Sequence, residues 1–429
     1  MARVGSFDVA PSAARLTGSL RDIGYDFPTA IADLVDNSVA AGANRVNIET
    51  HFAPNESYVL VSDDGEGMTR DNLLESLRFG SRRTYEHNEL GRFGLGLKTG
   101  SFSQCRRLTV VTRHSPKQRR IHVQTLDLTV IERLDQWVVH VDESSQAIDR
   151  AVSILEEGPG TVVVWEDLDR ILPERYAESG WGRRRLTSLA NKAAQHLSMV
   201  FHRFIEGMDG RPELVLSVNG EKLLAWDPFA RSELHTKAFP EERFEIETRG
   251  GSADVRFRGF VLPPRGRFSN PDEFERMSGP LKWNRQQGLY IYRADRLVQF
   301  GGWCGVRGID EHTKLARASI DFDTDLDEAF QINVAKMRVD LPPALKQMIE
   351  RPIHELCMTA DDAYRKAANQ SEKRTPAKHG SSSDGVPLGE VGVALKAAML
   401  DCSGDLRSFR ASISALKKRH PELARGLNL

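Results

Sequence analysis

The hydrophobic and polar positions of residues 29–43 predict an amphipathic helix. At a period of 3.6 residues the large apolar side chains fall on one side. The other side carries Asp33, Asp36, Asn37 and Ala40. Pro28 suits a first helical turn, and Gly42 can adopt the left-handed conformation that ends a helix. By itself this pattern favours a capped surface helix with a core side and a solvated acidic side.

Asp33 and Asn37 also stand one turn apart on the polar side of this helix. A carboxylate in that position could orient a water molecule beside an amide oxygen that ligates a hard cation. The helix alone therefore leaves two interpretations open, a surface helix and one wall of a catalytic site.

The next two segments favour the catalytic-site interpretation. Alternating residues 46–52 and 58–62 predict a β-hairpin that ends in the acidic, glycine-bent loop DDGEGM at residues 63–68. The loop GRFGLGLKTG at residues 91–100 follows, and its glycines let backbone N–H groups approach an anion beside Lys98. It does not fit the Walker A spacing. Polar residues 78–90 between the loops suit a lid, or equally a basic surface loop.

Further patterning predicts two domains. Residues 108–114, 120–128, 137–141 and 161–165 read as strands of one sheet, and residues 183–205 as a helix that closes a first domain at residues 1–210. A second strand-rich domain is expected at residues 211–345, beginning with the LVLSV strand and its Asn219-Gly220 turn. Beyond it we expect a helix at 346–368, a flexible linker at 369–387 and a helical tail at 388–429.

Composition sets outer limits on function. The 429 residues are 40% hydrophobic and 28% charged, which suits two or more ordinary globular domains. A formal net charge of -1 does not call for nucleic acid or membrane. The four cysteines form no C-x-x-C pair, which argues against a zinc site or a disulfide framework. We expect a cytoplasmic protein, because neither a signal peptide nor a membrane-spanning run is evident.

The motifs also resemble a known family. NSVAAGA within the helix, DDGEGM, GRFGLGLKTG and the later Gly158-Pro-Gly160-Thr161 are similar to the four nucleotide-binding boxes of the gyrase, heat-shock chaperone, histidine kinase and MutL (GHKL) superfamily. GRFGLGLKTGSFS looks closest to the microrchidia (MORC) branch and its bacterial relatives. The resemblance implies an α+β fold: a Bergerat-type α/β sandwich, then a ribosomal-protein-like βαβ transducer domain and a short helical C-terminal tail.

The resemblance also implies roles for individual residues. Asp33 would be the general base, Asn37 the magnesium ligand, and Asp63 the acceptor for the adenine amino group. Lys98 would contact the γ-phosphate. The nucleotide-binding set is Asn37, Asp63, Gly65, Gly67, Met68, Gly94, Leu95, Gly96, Lys98 and Thr161.

Two positions depart from the family pattern. The usual general-base glutamate is Asp33, one methylene shorter, and the aspartate that usually follows the asparagine is Ala40. The first departure bears on the turnover rate more than on nucleotide binding.

The second domain carries its own part of the resemblance. GLYIYRADRLVQFGGW is similar to a strand pair of the transducer domain, and INVAKMRVDLP to the stretch that carries a catalytic lysine into the nucleotide site, which here is Lys336. The resemblance thus implies a magnesium-dependent ATPase that uses ATP and Mg²⁺ and dimerises like a clamp, with DNA or a protein as partner. The alternative is a nucleotide-gated binding module or chaperone with negligible turnover.

Overall fold

Helix formation around residues 27–40 follows directly from the local sequence. In a computed structural model, α2 (Phe27–Ala40) begins at Asp26, whose carboxylate accepts a hydrogen bond from the Thr29 amide at 3.0 Å. Pro28 lies in the first turn, and Gly42 adopts a φ of 70° just after the end. The helix start and stop expected from the sequence are therefore confirmed.

The structure describes residues 11–22, 24–54, 56–80, 96–115, 120–141, 145–173, 180–207, 212–248, 251–331 and 339–374. The chain divides into two compact units, at residues 1–369 and 370–429.

The two-sided character expected of α2 is wrong in one respect. Asp33 and Asp36 are only 3% and 0% exposed, so the acidic side of the helix is not solvated. Asn37 and Ala40, further along the same side, are exposed. The reason is tertiary: the helices α4 (Gly96–Phe102) and α7 (Gly180–Val200) pack against α2.

A seven-stranded sheet lies beneath α2 in the described part of the chain. Its order is β4-β3-β5-β2-β1-β6-β7, and all neighbouring pairs are antiparallel except β1 with β6. The strands are β1 (Arg45–His51), β2 (Tyr58–Asp63), β3 (Arg107–Arg113), β4 (His122–Asp127), β5 (Gly160–Glu166), β6 (Val215–Val218) and β7 (Glu221–Lys222). The central strand β2 is buried on both faces, as expected of a sheet covered on both sides.

Helices cover the two faces unequally. The larger core joins one face to α2 and α7, and a smaller core joins the other face to α6 (Gln146–Glu156). The remaining helices of this region are α1 (Ala13–Arg21), α3 (Arg70–Leu77), α5 (Leu128–Leu134) and α8 (His202–Glu206). Thr69 caps α3, because its hydroxyl accepts a hydrogen bond from the Asn72 amide at 3.3 Å.

Two strand expectations need correction. Residues 137–141 do not form a strand, since only His140 makes a single bridge, to Thr125. The hairpin at residues 215–222 belongs to the first sheet instead of opening a second one, because β6 pairs with β1 from Arg45↔Val215 to Ile48↔Val218. Local alternation identifies a strand but not the sheet it joins.

A second, six-stranded sheet follows in the described residues. Its order is β12-β11-β13-β10-β8, and β9 also pairs with β10. The strands are β8 (Lys237–Ala238), β9 (Glu242–Thr248), β10 (Gly251–Val261), β11 (Gly288–Arg293), β12 (Arg296–Phe300) and β13 (Ala316–Phe322). Helices α9 (Pro271–Met277) and α10 (Lys282–Gln286) lie between β10 and β11 in sequence. A separate hydrophobic core forms around this sheet.

The last described element is the long helix α11 (Pro343–Arg374). It begins close to the expected start and continues six residues past residue 368, into the segment expected to be a linker. The rest of the linker and the expected tail lie outside the described residues. Among the helices that are described, none has the length and apolarity to span a bilayer.

The burial of α2 generates a stability prediction. Replacing Ile31, which is 0% exposed, with alanine should lower the free energy of unfolding by about 2–5 kcal/mol, because it leaves a cavity in the larger core. The matched change Leu134→Ala, at a residue 47% exposed, should cost no more than about 0.5 kcal/mol. Urea titration followed by circular dichroism measures both, and equal losses would contradict this view of the core.

Candidate functional site

Asp63 lies at the end of β2 and joins three segments of the candidate site. Its Oδ2 accepts a hydrogen bond from the Ser38 hydroxyl at 2.8 Å, and its Oδ1 accepts from the Gly65 amide at 3.0 Å and the Thr161 amide at 3.2 Å. Burial raises the pKa of the Asp63 carboxyl, while these three donors act in the opposite direction. The carboxylate is therefore held in one orientation by α2, the acidic loop and β5.

The glycines of the acidic loop allow a close backbone approach. Gly67 has a φ of 64°, and a Cβ atom there would lie 2.1 Å from the Arg113 carbonyl oxygen. The next amide, of Met68, donates to the Thr112 hydroxyl at 2.8 Å, which in turn lies 3.2 Å from the Thr161 hydroxyl. The structure thus brings Gly65, Gly67, Met68 and Thr161 together around Asp63, as the sequence predicted, and adds Ser38 and Thr112.

Asp33, on α2, belongs to a second cluster of polar side chains. Its Oδ2 accepts a hydrogen bond from the Tyr25 hydroxyl at 2.9 Å. Burial, and next the charge of Asp33, raise the pKa of Tyr25 far above its ordinary value, so Tyr25 stays a hydrogen-bond donor. A Cβ atom on Gly96 would lie 3.1 Å from the same oxygen, so the start of α4 packs directly against this carboxylate.

An arginine from the second sheet completes this cluster. The Nε atom of Arg296 donates to Oδ1 of Asp36 at 2.8 Å, and a terminal nitrogen lies 3.8 Å from Oδ1 of Asp33. Arg296 is 2% exposed. Nothing in the local sequence marked Tyr25 or Arg296 as part of the site, because both reach Asp33 through the tertiary fold.

Lys98 lies on α4 and is almost fully buried. Its amine donates to the Ser76 carbonyl at 2.7 Å and lies 5.8 Å from the centre of the Phe79 ring. Burial lowers the pKa of Lys98 to about 8, and Glu75 acts in the opposite direction. A neighbouring anion would favour the charged form of this lysine.

The described residues suit a magnesium ion that binds together with a nucleotide. They do not form a metal site made of protein ligands alone. No group of three or more His, Cys, Asp or Glu side chains is gathered for a metal in the described ranges. Mg²⁺ commonly uses one or two protein ligands together with substrate phosphates. Asn37 is exposed one turn beyond Asp33, where its amide oxygen can serve as such a ligand.

Three predicted site residues, Gly94, Leu95 and Lys336, lie outside the described residues, as does most of the expected lid. Their roles stay predictions.

Comparisons with known proteins point to one family. A family model described as "Histidine kinase-, DNA gyrase B-, and HSP90-like ATPase" matches residues 25–161. This range contains most of the predicted site, including Asp33, Asp63 and Lys98. The mixed α+β architecture is consistent with such a domain.

Curated relatives match over short stretches. ATPase morc-1 of Caenorhabditis elegans is 39% identical over 85 residues, which are 20% of this chain and 10% of the worm protein. DNA mismatch repair protein MutL of Thermosipho melanesiensis is 32% identical over 98 residues, covering 22% and 18% of the two chains. ATPase MORC2B of Mus musculus is 36% identical over 77 residues, covering 17% and 8%. Each match spans less than a fifth of the relative's length.

The buried lysine generates a pH prediction. The native pKa of about 8 lies below the ordinary 10.5, so between these pH values the unfolded chain binds more protons and stability rises with pH. In urea titrations, the free energy of unfolding of the parent relative to Lys98→Met should therefore increase by about 3 kcal/mol from pH 8 to pH 10.5. The exposed control Lys192→Met should show no such trend, and a flat difference for Lys98→Met would contradict the prediction.

Proposed function

We propose, for a chain that belongs to the GHKL superfamily and is related to the MORC ATPases, that the site around Asp33 and Asp63 binds ATP with Mg²⁺ and hydrolyses it. The observation that carries the proposal is the convergence of α2, the acidic loop and β5 on Asp63. Family membership supports ATP as the ligand. The convergence on Asp63 supports a preformed binding site for the adenine ring.

Asp63 and Thr161 would recognise adenine. The Asp63 carboxylate can accept a hydrogen bond from the exocyclic amino group, which guanine does not offer at that position. Gly67 keeps the backbone free of a side chain beside the base, and the Thr112 hydroxyl links the Met68 amide to Thr161. Adenine selectivity then depends on polar groups that would be left unpaired by the wrong base.

Asp33 would orient the attacking water and accept its proton. Tyr25 donates to one of its oxygens and Arg296 lies beside the other, so the carboxylate is oriented from both sides. When bound, ATP supplies the phosphoanhydride bond, and Mg²⁺ offsets the charge of its phosphates. Asn37 would hold the cation, and the amides of Gly94, Leu95 and Gly96 with the amines of Lys98 and Lys336 would hold the terminal phosphates.

The nucleotide state would drive clamp-like dimerisation, with the first sheet and its helices as the ATPase domain and the second sheet, which begins at β8, as the core of a transducer domain. The relatives named for DNA mismatch repair and for MORC ATPases favour a DNA transaction, an analogy at the level of the family. The alternative is a nucleotide-gated binding module with negligible turnover. The shortened base Asp33, already engaged by Tyr25, favours that second function.

An ATP hydrolysis assay with and without long duplex DNA tests the proposal. Mg²⁺-dependent turnover that DNA stimulates, together with an ATP-dependent increase in mass by light scattering, is the expected result. Tight ATP binding without turnover would replace the proposal with the binding module. Absence of ATP binding would overturn both functions.

Asp33→Asn should nearly abolish hydrolysis and leave ATP affinity almost unchanged. Removing a general base typically costs ~10²–10⁴-fold in rate, whereas the carboxylate need not touch the nucleotide to act. Steady-state phosphate release and calorimetry with ATP measure the two effects. Asp22→Asn, at an exposed acid paired with Arg170, is the control and should behave like the parent. Parental turnover in Asp33→Asn would remove Asp33 from the mechanism.

Asn37→Ala and Asp63→Asn should each weaken ATP binding, by different routes. The loss of Asn37 removes a cation ligand, so its defect should require magnesium. The change at Asp63 alters the acceptor for the base, so its defect should be larger for ATP than for GTP. Calorimetry with both nucleotides, with and without magnesium, separates the two. Equal losses under all four conditions would point to misfolding instead.

A further inference from the structure

Arg296 connects the second sheet to the acidic side of α2 over 260 positions of sequence. Its guanidinium is hydrogen-bonded to Asp36 at 2.8 Å and lies 3.8 Å from Asp33. All three side chains are 3% exposed or less. The cation that faces the proposed general base therefore comes from the other sheet of the protein.

The position of Arg296 is set by a tight turn. Arg296 begins β12 and pairs with Arg293 of β11, and the two residues between them, Ala294 and Asp295, both have positive φ angles, of 46° and 69°. Such two-residue turns hold the flanking strands in a fixed register. The guanidinium consequently follows the tip of the β11–β12 hairpin.

The hairpin tip is attached to the first sheet's helices a second time, on α8. Arg203 donates to Asp295 at 3.1 Å and is also paired with Asp321 of β13. The guanidinium of Arg203 lies 3.6 Å from the centre of the Tyr292 ring, and the Tyr292 hydroxyl is 2.8 Å from Nε2 of His202. A displacement of the hairpin would therefore change side-chain contacts at both α8 and α2.

The chemistry of arginine suits this position. Two carboxylates one turn apart on a buried helix disfavour each other's charge unless a cation lies close to both. A planar guanidinium offers donors in a fixed fork and stays protonated when buried, which an ammonium group does not reproduce. Arg296 therefore lies close enough to both acids to offset their charge, and it limits the orientations that Asp33 can adopt.

The charged and titratable groups beside Asp33 are Tyr25 and Arg296. Asp36 binds the same guanidinium, and His196 on α7 interacts electrostatically with Arg296, Asp26 and Asp36. Desolvation, and next the charge of Arg296, lower the pKa of His196 to about 4, so this ring is neutral at neutral pH. Gly96 of α4, which packs on Asp33, adds no charge. Arg296 is the cation among these groups at neutral pH.

We infer that Arg296 is a positioning residue for Asp33, through which the placement of the β11–β12 hairpin controls the carboxylate that activates water. The inference rests on the proposed ATPase function and deepens it. In the observed position of the hairpin, the Arg296 guanidinium lies against Asp33 and Asp36. A displacement of the hairpin would withdraw the guanidinium from both acids and leave Asp33 less well oriented.

The test compares Arg296→Gln and Arg296→Lys with the matched control Arg293→Gln. Arg293 is on the same hairpin, is equally buried, and pairs with Asp327 through two hydrogen bonds of 2.7 and 2.8 Å without contacting α2 in the described contacts. Arg296→Lys retains a charge and tests the fork geometry if Arg296→Gln folds poorly. Melting temperature, ATP affinity, the pH profile of hydrolysis and amide hydrogen exchange of residues 27–40 are measured for each protein.

Arg296→Gln should bind ATP within about 3-fold of the parent and hydrolyse it roughly 10- to 100-fold more slowly, since a misplaced reacting group costs that much. The acidic limb of its pH profile should move to higher pH, because a nearby cation favours a charged carboxylate, and α2 should exchange faster. Arg296→Lys should fall between the parent and Arg296→Gln. Arg293→Gln should melt at a lower temperature but keep the parental pH profile and the parental exchange of α2.

Identical changes in Arg293→Gln and Arg296→Gln would overturn the inference, because they would show only a weakened second sheet. If the parent does not hydrolyse ATP, the proposed function fails, but the exchange comparison still decides the role of Arg296. Faster exchange of α2 in Arg296→Gln and not in Arg293→Gln then supports the positioning of α2. Unchanged exchange in Arg296→Gln overturns it.

Discussion

The ion pair between Arg296 and the carboxylates of α2 is the interaction on which the rest of the structure depends. Removing a carboxylate from water costs several kcal/mol even after the protein relaxes. Asp33 and Asp36 are both buried on a helix that packs between the first sheet and α7. A cation close to both acids offsets part of that cost, and Arg296 supplies it from the second sheet.

The candidate site contains several ionisable side chains that the fold buries away from water. Asp63 is compensated by three hydrogen bonds, Asp33 by Tyr25 and Arg296, and Lys98 by the Ser76 carbonyl. Such a concentration is typical of functional sites, although structural networks produce it too. Arg317 in the second sheet is an example of the latter: it is 0% exposed and donates to the carbonyls of Pro228 and Met277. Asp33, Asp63 and Lys98 lie in the motifs that resemble nucleotide-binding boxes, whereas Arg317 does not.

Local sequence predicted what local physics controls. The Pro28 start and the Gly42 stop of α2 are confirmed, because each depends on neighbours in the chain. Strands β1, β2 and β3 also form near the expected positions, although β2 and β3 are buried along most of their length instead of alternating. The placement of Thr161 beside Asp63 was expected from the family resemblance and not from local patterning, since the two residues lie far apart in the chain. The strand expected at residues 137–141 failed because alternation over five residues does not guarantee a partner strand.

The sequence by itself determined most of the elements and the motifs that carry the family resemblance, since these are encoded in short segments with their own conformational preferences. Only the tertiary structure decided that the acidic side of α2 is buried, that the hairpin at residues 215–222 completes the first sheet, and that Arg296 faces Asp33. The physical reason is that burial and long-range pairing depend on which surfaces meet. No local pattern encodes the partner that lies 260 residues away.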